Sequence, residues 1–119
     1  MLVRALLDCP RFTAGDATEL RELLHPEKAD LALRYSLAHA VVPAGKRSLP
    51  HVLDYSEVYY VLSGTARMHV DDEVRAIGPG DTVYIPPHAT QYVENTGSTE
   101  FAFLCIVDPA WQPDIERVV

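Results

Sequence analysis

From residue 51 onward the chain is cut at close intervals by Gly64, Asp71-Asp72, Gly78-Pro79-Gly80, Pro86-Pro87 and Asn95-Thr96-Gly97. Each break has its own backbone reason. Glycine tolerates positive φ, proline lacks an N–H, and Asp or Asn side chains bond their own backbone. The runs between them suit strands and are too short for typical helices. Strands are therefore expected around His51 and over 57–63, 65–70, 73–77, 82–85, 91–95 and 100–107. Many short, regularly punctuated strands imply an all-β sandwich or barrel. At 119 residues the chain makes one domain around one core.

Upstream, Leu31, Leu33, Tyr35, Leu37 and Val41 recur at a period of two, with His39 among them on the same face, and predict a strand over 31–41. Residues 16–24 read as one short helix. Asp16 is placed to cap it, Glu19 follows three residues later, Leu20, Leu23 and Leu24 form a stripe, and Pro26 stops it. The expected organisation is an N-terminal extension over 1–30 containing that helix, a β-barrel over 31–107 and a tail over 108–119. Pro109 and Pro113 make a long regular element in the tail unfavourable, and Trp111 is expected to pack on the barrel or across a subunit boundary.

Seventeen acidic residues against ten basic ones give a net charge of -7 with no Lys/Arg cluster, which argues against nucleic-acid and anionic-membrane partners. The N-terminal apolar stretch is interrupted by Arg4 and ended by Asp8, unlike a secretory signal, and a cytoplasmic location is expected. Cys9 and Cys105 are too few and too distant in sequence for a disulfide framework or a thiolate zinc site, so two reduced thiols are expected.

Two glycine-bounded stretches carry the chemistry. The first contains Gly45, His51, Glu57 and Gly64; the second contains Gly80, Pro86, His88, Gln91 and Asn95. Their residues and spacing resemble the two motifs of the cupin superfamily, in its small single-domain form. The resemblance covers about residues 31–107 and implies a small antiparallel β-barrel of jelly-roll type. It also implies a metal held by three histidines and a glutamate. His51 and Glu57 match that set, but Leu53 occupies the second histidine position, Gln91 the last, and His88 a position usually glycine.

The residues themselves support part of this. His51 and Leu53 are two apart and share a strand face, so Leu53 adds apolar surface where an imidazole would have been. Glu57 shares a face with Tyr59 and Val61, and a carboxylate there needs a pair, a hydrogen bond or a cation. His51, Glu57 and Gln91 would offer one nitrogen and oxygens to a divalent ion such as manganese, iron or zinc. The competing reading is a metal-free His51 hydrogen-bonded to Glu57. His88 is expected in an exposed turn, His69 at the surface or an interface, and His25 at a helix end. Tyr35 and Tyr59 are expected as core aromatics, and Cys105 as inert filling.

Three functions follow from these readings. One is a metal-dependent enzyme of dioxygenase, lyase or isomerase type acting on a sugar, organic acid or ketone, with Tyr59 or His39 moving a proton. The second is a metal-free isomerase or epimerase with His51 as base and Glu57 orienting it. The third is a binding protein that holds a small ligand unchanged. The resemblance further implies a homodimer, for which residues 31–42 and the apolar tail are candidate contacts.

Overall fold

The computed structural model describes residues 1–119, which form eleven strands. In chain order they are β1 (Arg11–Thr13), β2 (Glu19–Leu24), β3 (Ser36–Val42), β4 (His51–Leu53), β5 (Ser56–Ser63), β6 (Ala66–Val70), β7 (Glu73–Ile77), β8 (Thr82–Ile85), β9 (Thr90–Asn95), β10 (Phe101–Asp108) and β11 (Glu116–Val118). Two antiparallel sheets result, ordered β1-β2-β3-β10-β5-β8 and β11-β4-β9-β6-β7. The fold is all-β, and every strand expected from the turn residues is present.

Strand alternation builds the core. Phe101, Phe103, Cys105 and Val107 of β10 are buried, whereas Ala102, Leu104 and Ile106 between them are only half-buried. Tyr59 and Val61 of β5, Met68 of β6, Val93 of β9 and Ile85 of β8 complete one cluster with Phe101 and Phe103. Burying each large side chain contributes about 1.5–3 kcal/mol. A smaller cluster joins Leu53, Val107 and Ile115, with Trp111 and Tyr55 packed on it.

Gly64 is required where it stands. Its φ is +83°, and a Cβ there would lie 2.5 Å from the Glu100 carbonyl oxygen. His88, at the usual glycine position, adopts φ +70° and leaves its ring exposed, as expected for a turn residue.

Three expectations change. Residues 19–24 are not helical but form β2, paired with β1 and β3. Asp16 does cap, but in an Asx turn. Thr18 N–H and the Thr18 hydroxyl both donate to Asp16 Oδ1, at 3.1 and 2.7 Å, and Ala17 takes φ +72°, which breaks a helix at its first turn. A helix of this length is marginal alone, and the open edge of β3 offers a full ladder instead.

The second change concerns β3, which begins only at Ser36. Ser36, Ala38 and Ala40 face the interior, while Leu37, His39 and Val41 face the other side of the sheet. The period was legible, but the inner face carries the small residues. The third concerns His25. With no helix, it has no dipole to meet; it is buried, accepts from Glu27 N–H at Nδ1 and donates from Nε2 to the Trp111 carbonyl at 2.7 Å. Trp111 thereby packs on its own chain. Cys9 and Cys105 are both buried free thiols.

Candidate functional site

The small inner residues of β3 leave a cavity of about 250 Å³ between the sheets. It draws walls from both sheets, from the turn at Ala14–Thr18 and from the tail. Ser36, Ala38 and Ala40 supply the low wall; Tyr59, Phe103 and Cys105 supply the apolar one. Asp16, His51, Glu57 and Glu116 bring charge to it. A wider groove of about 740 Å³ along β6, β7 and β8 carries acidic residues too, but Asp71, Asp72 and Glu73 are exposed to water.

His51 is the best-fixed of these groups. Its Nδ1–H donates to the Leu49 carbonyl at 2.7 Å, so in the neutral ring Nε2 carries the lone pair. Nε2 faces Asp16 Oδ2 at 3.5 Å. The Asp16 turn is anchored to the same segment, because Leu49 N–H donates to the Asp16 carbonyl at 2.7 Å. The group oriented toward His51 is thus Asp16 rather than Glu57, as the metal-free enzyme reading had it. His51 itself is 1% exposed.

Glu57 enters from β5 and is buried, and its Oε1 has no hydrogen-bond partner. Burial holds its carboxyl well above the usual carboxylate range, reinforced by Asp16 and Glu116 and offset in part by Gln91. Burial likewise pushes the Tyr59 phenol and the Cys105 thiol well up, with Glu57 adding to both. A thiol raised in this way is a poor nucleophile. Glu116 is raised by burial and by Asp16, while His51 and the Trp111 indole lower it.

Gln91 lies opposite His51 in the β4–β9 register, and its Oε1 accepts from the Tyr59 hydroxyl at 3.1 Å. Tyr59 also tilts against Phe103, with ring centroids 4.4 Å apart. The structure thus brings His51, Glu57, Tyr59 and Gln91 into one interior. His39 is not with them. It lies on the outer face of the six-stranded sheet between Arg21 and Leu104, where burial, Arg21 and Arg11 lower its pKa. Tyr35 is exposed rather than core.

These residues do not make a complete metal centre as they stand. Gln91 spends its oxygen on Tyr59, Leu53 packs against Val107 and Ile115, and no three His, Cys, Asp or Glu side chains converge on a metal-sized point. Of this set, Glu57 Oε1 has no hydrogen-bond partner, and His51 Nε2 is left free by the bond at Nδ1.

Sequence reasoning missed Asp16 as a site residue, and with it Glu116 and Trp111. Asp16-x-Thr18 is an Asx-turn signal as well as a helix cap, and only the pairing of β2 decides between them. Glu116 lies in β11, whose pairing with Leu53 of β4 carries it to the cavity. Nothing in a two-proline tail announces that.

The profile of the family described as "Cupin domain" matches residues 38–107. The chain is 39% identical over 109 residues to Uncharacterized protein MJ1618 of Methanocaldococcus jannaschii, covering 91% of this chain and 86% of that protein. It is 30% identical over 82 residues to mannose-1-phosphate guanylyltransferase ManC of Salmonella typhimurium, a match to 65% of this chain and only 17% of that protein. Among solved structures, the polyketide cyclase RemF from Streptomyces resistomycificus superposes with a TM-score of 0.82 at 22% identity, over 100% of this chain and 86% of its own. Oxalate decarboxylase from Bacillus subtilis superposes with a TM-score of 0.81 at 22% identity, over 96% of this chain and 31% of its own. At those identities the two structures speak for the fold.

Proposed function

Because the chain belongs to the cupin family, we propose that it binds a small polar molecule in the cavity between its sheets and exchanges protons with it. The observation carrying this is Glu57, a buried carboxyl whose Oε1 lacks any partner inside the cavity. A polar atom so placed costs free energy unless a ligand completes it. Burial raises its pKa well above the ordinary carboxylate range, the direction that suits a general acid. His51, with Nδ1 committed to Leu49, offers Nε2 as the complementary base. An acid and a base on one cavity favour isomerisation or epimerisation, in which a proton leaves one atom of the substrate and another returns elsewhere. The test is a thermal-shift and native mass-spectrometry screen against small sugars, ketones and amines, run with wild type and Glu57→Gln. A wild-type shift lost in the variant supports the reading; identical profiles reject it.

A divalent ion held by His51, Glu57 and Gln91 is the second reading, favoured by the same open Glu57 Oε1. It requires Gln91 to release Tyr59. Metal analysis of wild type and His51→Ala decides it, since equal metal in both removes this site.

We also propose a homodimer. Tyr60 and Leu62 are exposed on the outer face of the six-stranded sheet, beside half-buried Leu37, Leu104 and Ile106, and a second copy is the natural cover for such a face.

A further inference from the structure

The geometry points to a small organic cation as the ligand class of this cavity, a primary ammonium or guanidinium head on a compact apolar body. The inference rests on the cavity reading above and narrows it.

The charge balance of the wall is one-sided. Asp16, Glu22, Glu57 and Glu116 line it against Lys28, and the Lys28 ammonium is already paired with Glu22 at 2.6 Å. Three carboxyls therefore face the interior with no basic side chain beyond His51. Their hydrogen-bonding state is equally one-sided. Asp16 spends Oδ1 on Thr18 and aims Oδ2 inward, toward His51 Nε2. Glu57 is only 7% exposed, and its Oε1 has no partner. This orphaned oxygen is independent of the charge count: it marks a position where a donor is missing. With Nδ1–H committed to Leu49, a neutral His51 adds another acceptor.

A ligand that brings several N–H donors and a positive charge satisfies all of these at once. An organic acid would meet the same carboxyls at close range and be repelled. The remaining wall suits an apolar body, because Tyr59, Phe103 and Trp111 supply aromatic surface, which also attracts cations. The volume of about 250 Å³ limits the guest to a small molecule.

Three probes of nearly one shape separate the possibilities: benzylammonium, benzyl alcohol and benzoate, titrated into the full chain at neutral pH. Calorimetry and the fluorescence of Trp111, the chain's one tryptophan, report binding. Benzylammonium should bind about tenfold or more tighter than benzyl alcohol, with benzoate weakest. Glu116→Gln, at the cavity edge, should shrink the ammonium-to-alcohol ratio severalfold while the unfolding temperature does not fall below that of wild type. If the alcohol or benzoate binds as tightly as the ammonium, or the ratio is unmoved in Glu116→Gln, the cation inference falls and the cavity reading stands. If none of the three binds, the cavity reading falls and takes the inference with it.

Discussion

Asp16 Oδ2 lies 3.5 Å from His51 Nε2, with both side chains buried. The contact joins the turn before β2 to the strand that carries the motif histidine. It is held from both ends. Thr18 fixes the Asp16 carboxylate, and the Leu49 backbone binds Asp16 through its N–H and His51 through its carbonyl. The N-terminal segment is therefore part of the site rather than an appendage to it.

This arrangement separates two roles of Asp16. Asp16→Ala removes the acceptor of both Thr18 bonds and should cost about 1–3 kcal/mol in urea unfolding. Asp16→Asn keeps an oxygen for Thr18 and should stay within about 1 kcal/mol of wild type, while losing the charge that faces His51. Asn as damaging as Ala would mean that the charge, not the turn, carries the stability.

Glu57 makes the ligand-free protein pH-sensitive in a defined direction. Its folded pKa is raised, so above the ordinary carboxylate range the folded state binds more protons than the unfolded chain. Stability then falls as pH rises through that window, by up to about 1.4 kcal/mol per pH unit for one group. Glu57→Gln should flatten this slope and be the more stable protein at neutral pH. Glu116, also raised, leaves a residual slope of the same sign; Asp16 raises both carboxyls, and His51 lowers Glu116. Urea midpoints at a series of pH values check it; parallel curves would assign the pH dependence to other groups.

His25 ties the β2 end to the tail. His25→Ala leaves the Trp111 carbonyl without its donor and should cost about 1–3 kcal/mol. The fluorescence of Trp111 should shift to the red as the indole gains water. A destabilised protein with unchanged emission would show that Trp111 is held by Leu53, Val107 and Ile115 alone.

The dimer proposal has a direct check. Light scattering should give twice the chain mass for wild type, and Leu62→Glu, on the exposed face, should give a monomer with an unchanged unfolding temperature. A monomeric wild type would overturn the proposal.

What the sequence disclosed follows from the range of each signal. Turn residues act over four positions, so Gly64, Gly80 and the Asn95 turn placed the strands of residues 51–107 almost to the residue. The spacing of His51 and Glu57 was equally local, and both reach the cavity. The segment 16–24 was misread because Asp16 and the leucines are consistent with a helix in isolation, and only the free edge of β3 makes them a strand. His39 lies outside the cavity because the large side chains of β3 are not its inward set. In fact Ser36, Ala38 and Ala40 turn inward, and their small size is what leaves room for a ligand. Glu116 and Asp16 meet His51 through pairings that join both ends of the chain, which no short spacing encodes.

The two departures from the family's donor set can be reversed. Leu53 follows His51 by two on β4 and is 2% exposed, packed on Val107 and Ile115; Gln91 stands opposite His51 in the register. Leu53→His alone should destabilise the metal-free protein by about 2–4 kcal/mol, since it exchanges packed methyl groups for a polar ring. Leu53→His combined with Gln91→His should convert that cost into affinity, presenting three imidazoles and Glu57 to one ion. Manganese or zinc should then bind at one per chain and raise the unfolding temperature with concentration, far more than in wild type. His51→Ala added to the pair should abolish the gain. If the double variant takes up no more metal than wild type, then Leu53 and Gln91 do not point at the spot where His51 and Glu57 converge. The leucine would in that case be a packing residue of the small cluster with Val107 and Ile115 rather than a lost metal position.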